Sequence, residues 1–275
     1  MKNVLIIGYG QIGQSIARLY DSSYNLFTKD STDALTNRGV RYEGEAMNEL
    51  IKFYPFDVCH IAFTYSPDFE KEAAEYIKKF YPALTIIEST VPVGTTRRLI
   101  VKTGLPIVHS PVSGKHPNLT ESIKTFKKLI GAIDKDTAAR AISHYSTLGV
   151  DCMAYNSPEE TELAKLLCTT YYGWNIMFMK NVHQLCEKLG VDFDNVYTKT
   201  NHNYNAGYTA LKSPQFVRPV LKYMGNGIGG HCIWQNANIL NDAEYLQEIV
   251  MHIIAEGWNP EVKKQEAEGK FCDAS

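Results

Sequence analysis

Three stretches of this chain combine residue types that can do chemistry. Gly225-Asn226-Gly227-Ile228-Gly229-Gly230-His231-Cys232 sets four glycines ahead of a cysteine. Glycines let backbone N–H groups approach a ligand and adopt φ > 0 without steric cost. Successive N–H groups in such a turn form an anion-binding concavity, which also favours a thiolate. The segment reads either as the seat of a reactive Cys232 or as a glycine-rich turn over an inert thiol. Near the start, Gly8-Tyr9-Gly10-Gln11-Ile12-Gly13 follows an apolar run. In the middle, Lys165, Thr169 and Tyr172 fall at i, i+4 and i+7 of a helical pattern. Lys165 is either the i+3 partner of Glu162 on a solvated face or an active-site amine.

Each stretch needs an element to hold it. Residues 3–7 are an uninterrupted apolar run, as in a parallel strand buried on both faces. Residues 14–20 after Gly13 read as a helix, which gives G-x-G-x-x-G its required context. Gly8 makes the turn, Gly10 lets the backbone meet a diphosphate, and Gly13 permits close helix–strand packing. Gln11 and Ile12 complete the dinucleotide loop at the helix N-terminus. The second strand covers 25–28, followed by Lys29 and Asp30. If Asp30 ends that strand it accepts the adenosine ribose hydroxyls and NAD is favoured; if Thr28 ends it, Lys29 faces a 2′-phosphate and NADP is possible.

The alternation then continues, with helices over 45–53 and 69–80 and strands over 57–63, 84–87, 106–108 and 129–133. His60, inside an apolar strand, reads as a hydrogen-bonded core histidine. Strands alternating with helices predict an α/β fold, a Rossmann-type doubly wound parallel sheet. Ligands of such sheets sit beyond the carboxyl ends of the strands, which places Thr64, Ser89, Thr90 and the segment 109–117 beside the cofactor. Ser157, Pro158 and Glu160 form a helix start with a capping box. Apolar positions then recur at helical spacing as far as Gly190, a span of about 32 residues or roughly 48 Å. A helix of that length suits a spine or a subunit contact, unless it breaks at Gly173. The expected division is a dinucleotide-binding domain over 1–155 and an all-α domain over 156–275. Within the latter, 201–208 reads as a polar surface loop, 237–257 as one helix, and 260–275 as a charged, frayed tail.

Composition excludes some function classes. A net charge of −2 over 275 residues, with no Lys/Arg block, argues against a nucleic-acid surface. No uncharged run reaches the roughly 18 residues of a membrane helix. The six cysteines show no metal-ligand spacing. With no signal peptide ahead of the first strand, a cytoplasmic protein with reduced thiols is expected.

Four blocks together carry a family resemblance. They are the glycine fingerprint, Ser89-Thr90-Val91-Pro92-Val93-Gly94-Thr95-Thr96, Glu162-Leu163-Ala164-Lys165-Leu166 and Gly227-Ile228-Gly229-Gly230-His231-Cys232-Ile233. In that order and spacing they resemble the UDP-glucose/GDP-mannose dehydrogenase family, which oxidises a nucleotide-sugar alcohol to a carboxylate with two NAD. The resemblance implies that Cys232 takes the aldehyde intermediate as a thiohemiacetal. It also implies that Lys165 stabilises the developing oxyanion and that Thr90 holds a water or the substrate oxygen. Thr169, Gly229, Gly230 and Asn236 would line the substrate, a sugar or nucleotide sugar. The long helix would form a homodimer, and the setting would be polysaccharide biosynthesis.

The chain departs from that pattern at five residues and in its domain content. Where the family has a glutamate after Ser-Pro, and a second four residues on, this chain has Val112 and His116. Thr169 replaces an asparagine, Trp234 a proline and Asn236 an aspartate. The family's C-terminal nucleotide-gripping domain is not expected here. The groups that would activate water on a thioester are thus replaced. Pro111-Val112-Ser113-Gly114 is in turn similar to the substrate loop of the β-hydroxyacid dehydrogenases, which transfer one hydride with a helix lysine and need no cysteine; that resemblance implies Lys165 as the acid–base group and Ser113 and Gly114 as substrate-binding residues. A dinucleotide-binding protein without turnover is the third alternative.

Overall fold

The computed structural model describes residues 1–30, 34–37, 39–114, 117–240 and 246–261. The described residues fall into two compact units that divide between Lys165 and Leu166.

The first unit is built on one nine-stranded sheet, ordered β4-β3-β2-β1-β5-β6-β7-β8-β9. Its strands are β1 (Lys2–Ile7), β2 (Tyr24–Lys29), β3 (Leu35–Asn37), β4 (Val40–Tyr42), β5 (Val58–Ile61), β6 (Thr85–Ile87), β7 (Ile107–His109), β8 (Lys128–Gly131) and β9 (Cys152–Tyr155). From β2 to β7 neighbours run parallel. The doubly wound centre is as expected. The edges differ: β2–β3, β3–β4 and β7–β8 are antiparallel. Unlike β6 and β7, the short strands β3 and β4 mix polar with apolar residues and carry no apolar run legible in sequence.

The helices around this sheet are α1 (Gln11–Ala17), α2 (Gly44–Phe53), α3 (Phe69–Phe80), α4 (Thr95–Thr103), α5 (Leu119–Thr125) and α6 (Lys135–Thr147). Alternate residues of β1 enter opposite cores. Leu5 and Ile7 pack with Phe27, Phe56, Ile61 and Ile77, whereas Ile6 packs with Ile16, Ile86, Val108 and Tyr145. Burial of one such side chain stabilises by roughly 1.5–3 kcal/mol, and β1 contributes to both cores.

The chain then enters α7 (Pro158–Leu189), 32 residues without a break. Its start differs slightly from the expected capping box: Glu160 receives the Asn156 N–H at 2.8 Å, while Ser157 Oγ receives the Glu160 N–H at 3.4 Å. Gly173 does not break it. A Cβ there would stand 2.8 Å from Ile233 and Ile253, so this glycine serves close packing. Gly190, at φ 67°, ends the helix.

In the second unit α7 is followed by α8 (Thr200–Ala210), α9 (His231–Ile239) and α10 (Gln247–Glu256). Leu166, Met177, Tyr197, Leu221, Ile233 and Val250 form its core. Two expectations are corrected. The 201–208 tract is helical, with none of its residues buried, so hydrophobic periodicity could not announce it; Asn205 ties it to the Arg218 backbone in both directions, at 2.8 and 2.9 Å. In place of one helix over 237–257 stand α9 and α10; 241–245 lie outside the described residues, as does the tail from 262.

Candidate functional site

The dinucleotide fingerprint occupies the turn between β1 and α1. Gly8 has φ 90°, and a Cβ on it would lie 2.5 Å from the Phe63 backbone nitrogen. A Cβ on Gly13 would lie 2.0 Å from Gly8 O. Only glycine fits either position. Gly10 differs, because nothing lies within 4 Å of its would-be Cβ. It caps α1 with no side-chain partner, and the room beside it is what the second glycine of a dinucleotide turn requires.

At the end of β2, Lys29 is the last strand residue and only 2% exposed. Its ammonium lies 5.3 Å from the Tyr76 ring centroid. Asp30 follows at once, is exposed, and receives the Tyr9 N–H at 3.4 Å. The strand thus runs one residue past Thr28, which buries the lysine and leaves the carboxylate beside the glycine loop.

Thr64 is exposed just past β5. Ser89 is buried beyond β6, and its hydroxyl donates to Phe63 O. Thr90 beside it is half-buried. After β7 the chain turns through Ser110, Pro111 and Val112 to Ser113 and Gly114. Gly114 has φ 128°, with its would-be Cβ 2.1 Å from Ser122 Cβ. His116 lies outside the described residues.

Lys165 donates from Nζ to Val112 O at 2.9 Å. It is not the surface partner of Glu162. That carboxylate is fully buried and receives the N–H groups of Gly94 at 2.6 Å and Thr96 at 2.8 Å. Burial raises its pKa, against the pull of those hydrogen bonds. Glu162 therefore pins the Pro92–Thr96 turn, and Lys165 reaches the 110–114 loop.

Beneath these loops runs a buried polar chain of which the sequence suggested one member. His60 Nδ1 meets Glu88 Oε1 at 2.8 Å, and its Nε2 meets Tyr20 OH at 2.6 Å. Tyr20 OH also meets His144 Nε2 at 2.7 Å. The Glu88 carboxylate can only accept, so His60 donates to it from Nδ1. Tyr20 OH bridges the Nε2 atoms of the two imidazoles, and His144 Nδ1 has no hydrogen-bond partner among the described residues. Glu88 also receives the Tyr145 hydroxyl and, at 2.6 Å, Lys128 Nζ. Burial raises the Glu88 carboxyl, but Lys128 and His60 outweigh it and hold it at about 2. His109 is tied on both sides: Nε2–H donates to Ser89 O at 3.2 Å, and Nδ1 faces Thr161 Oγ1 at 2.8 Å.

In the second unit Cys232 is exposed on the first turn of α9. Two N–H groups of the glycine loop before it are already bonded. Gly227 N–H is spent on Glu256 Oε1 at 2.8 Å, and Ile228 N–H on Gly257 O at 2.8 Å. Gly229 O receives Trp258 Nε1–H at 3.3 Å. Lys180 pairs with Glu256 at 2.8 Å and donates to Gly225 O. A would-be Cβ on Gly227 lies 2.5 Å from Asn259 Cβ. These glycines admit a strap, residues 256–259, and Gly230 caps the helix that presents Cys232. Four residues on, buried Asn236 donates to Thr169 Oγ1 at 3.1 Å.

Thr90 and Lys165 thus belong to the first unit, Cys232, Thr169, Gly229, Gly230 and Asn236 to the second. Among the described residues no cluster of His, Cys, Asp or Glu could hold a metal, and no helix is long and apolar enough to cross a membrane.

Residues 159–257 match the central domain of the UDP-glucose/GDP-mannose dehydrogenase family, in agreement with the resemblance carried by the four blocks. The UDP-N-acetyl-D-mannosamine dehydrogenase of Methanocaldococcus jannaschii is 26% identical over 211 residues, which is 70% of this chain and 46% of that protein. The chain thus spans about half the length of that curated relative. Among solved structures, the UDP-glucose dehydrogenase of Pyrobaculum islandicum superposes with a TM-score of 0.68 at 18% identity, over 98% of this chain and 72% of that one. The UDP-D-ManNAc dehydrogenase of Pyrococcus horikoshii gives 0.66 at 19%, over 97% and 69%. A 3-hydroxyisobutyrate dehydrogenase of Mycobacterium tuberculosis gives 0.60 at 14%, over 98% and 94%. These structural likenesses establish the fold.

Proposed function

We propose that the chain is an NAD-dependent dehydrogenase that oxidises the primary alcohol of a sugar or nucleotide sugar, with Cys232 as nucleophile. The observation that carries this reading is the central-domain match, which spans both Lys165 and Cys232. Gly8, Gly10, Gln11, Ile12 and Gly13 would hold the diphosphate, Asp30 the adenosine ribose, and Thr64, Ser89 and Thr90 the nicotinamide end. A bound nicotinamide would accept the hydride removed from the alcohol carbon. The burial of Lys29 and exposure of Asp30 favour NAD over NADP, since a 2′-phosphate would meet a carboxylate.

The chain's own part is acid–base and nucleophilic work. The Lys165 ammonium stabilises negative charge on the reacting oxygen, and Thr90 orients that oxygen or a water. Cys232 Sγ adds to the carbonyl carbon of the aldehyde, the oxygen takes up the thiol proton, and a thiohemiacetal results. A panel of UDP- and GDP-sugars against small hydroxyacids, followed by NADH absorbance, tests the proposal. Turnover confined to hydroxyacids would point to the single-hydride alternative, which the amide of Asn236 favours because it cannot act as a base. NADH binding with no turnover on any alcohol would leave the reading of a binding protein.

The exposed residues Leu167, Tyr171, Trp174, Phe178, Leu185 and Leu189 follow α7 at three- and four-residue steps, with one seven-residue step between Phe178 and Leu185. A stripe of that kind is a helix-packing seam, and a second copy of the chain is its proposed occupant. Light scattering should give a dimer mass that Phe178→Glu reduces to the monomer.

A further inference from the structure

We infer that Glu88 and Lys128 are positioning residues for Lys165, acting through the backbone of Ser110, Pro111 and Val112. This rests on the reading that Lys165 works in the reaction, and its test does not require turnover. Both charges are nearly inaccessible, Glu88 at 1% and Lys128 at 3% exposure. An apolar pair of the same volume would often serve stability as well or better, so the ionic pair calls for a second reason.

That reason lies in what Lys128 Nζ holds. An ammonium has three donors, and here they are spent on Glu88 Oε2, Ser110 O and, at 3.1 Å, Pro111 O. No apolar side chain could bind those two carbonyls. The sheet does not hold them either, because the β7–β8 register ends with His109 opposite Gly131. Pro111 has no N–H to donate. Lys128 is thus the anchor of the segment as it leaves β7. The next carbonyl in the chain is Val112 O, the acceptor of Lys165 Nζ. On the other side, Glu88 directly precedes Ser89 and Thr90, and His60 and Tyr145 saturate its remaining oxygen. One buried pair therefore sets the Ser89–Thr90 turn against the loop that aims the lysine.

The experiment is pulse acetylation of the full chain at neutral pH with N-hydroxysuccinimidyl acetate. Peptide mass spectrometry would read Lys165 against exposed Lys71 as internal standard. With its acceptor held, Lys165 is shielded. In Lys128→Met the 110–112 segment loses its anchor, and Lys165 should acetylate about fivefold faster relative to Lys71, the factor one ordinary hydrogen bond is worth. Lys128→Arg, which keeps charge and donors, should restore the wild-type ratio. Glu88→Gln retains hydrogen-bonding shape without the charge and should fall between, which keeps the inference testable if Lys128→Met does not fold. A folded Lys128→Met chain with the wild-type ratio would overturn the inference. So would an unchanged ratio in Glu88→Gln should Lys128→Met fail to fold. A loss of stability alone would not change the ratio, and a chain inactive on every alcohol would still answer the question.

Discussion

Asn236 Nδ2 donates to Thr169 Oγ1 at 3.1 Å, joining α9 to α7 inside the second unit. These two residues are the ones that replace an aspartate and an asparagine of the family pattern, so the two departures touch each other. Thr169 also donates to Leu166 O at 2.9 Å, and its one hydroxyl proton is thereby used. An amide is the partner that suits this arrangement, since a carboxylate would need a donor.

Asn236→Asp should therefore turn the Thr169 hydroxyl from Leu166 O to the new carboxylate. The exchange of one hydrogen bond for another should cost about 1 kcal/mol or less, measurable by urea denaturation. It also puts a base one helical turn beyond Cys232. Under the proposed mechanism the yield of carboxylate product, read by mass spectrometry, should rise relative to wild type. An unchanged yield would remove Asn236 from the account of the missing hydrolytic step.

Acid should unfold this protein earlier than carboxylates alone would. Burial lowers both His109 and His144 to about 3, whereas an unfolded imidazole titrates near 6.5. Between those values the unfolded chain binds protons that the folded chain refuses, so stability falls with pH. The slope reaches at most about 1.4 kcal/mol per pH unit for each group. Glu88 acts lower, its contribution being present above about 4.5 and lost as pH falls toward about 2. The urea midpoint should drop from pH 7 to pH 5, and His144→Gln should flatten that drop. A midpoint constant over the interval would contradict the assignment of neutral buried imidazoles.

Gly131→Ala should be among the most damaging conservative changes in the first unit. The added Cβ would lie 2.3 Å from Thr161 Oγ1, 2.7 Å from Pro158 Cα and 2.8 Å from Ser157 O. Two of these are backbone atoms at the start of α7 and cannot swing aside. A loss of about 1–3 kcal/mol is expected. Gly173→Ala meets only isoleucine side chains, which can shift, and should cost less. Thermal melts of the two variants compare them directly.

Binding should favour NADH over NADPH, by fluorescence titration, because Asp30 rather than Lys29 is exposed at the end of β2. Asp30→Ala should weaken NADH about tenfold, the loss of a charge-assisted hydrogen bond. Equal affinity for the two cofactors would show that another group reads the ribose.

The dinucleotide turn was legible in sequence because its chemistry is local: three glycines between a buried strand and a helix. Helix α3 and the full span of α7 were legible because their apolar residues recur over many turns. The edge strands β3 and β4 were not, because they mix polar with apolar residues where β5 to β7 lie in mainly apolar runs, nor was α8, which buries nothing. Long-range polar partners were the larger omission. Glu88 stood in a strand-end block and Lys128 beside an apolar run, and nothing local indicates that they meet 40 residues apart. The glycine loop was read as an anion cradle because its composition allows one. Glu256 and Gly257 occupy the N–H groups of Gly227 and Ile228, a fact that depends on residues some 30 positions later.

The central claim is that Cys232 captures an aldehyde. Intact-mass and peptide spectra after incubation with NAD and a panel of UDP- and GDP-sugars test it most directly. The expected result is a substrate-sized adduct on Cys232 that is lost in Cys232→Ala, together with its acid product. A Cys232→Ala chain that produces NADH as fast as wild type, with no adduct on Cys232 in the wild type, would contradict it.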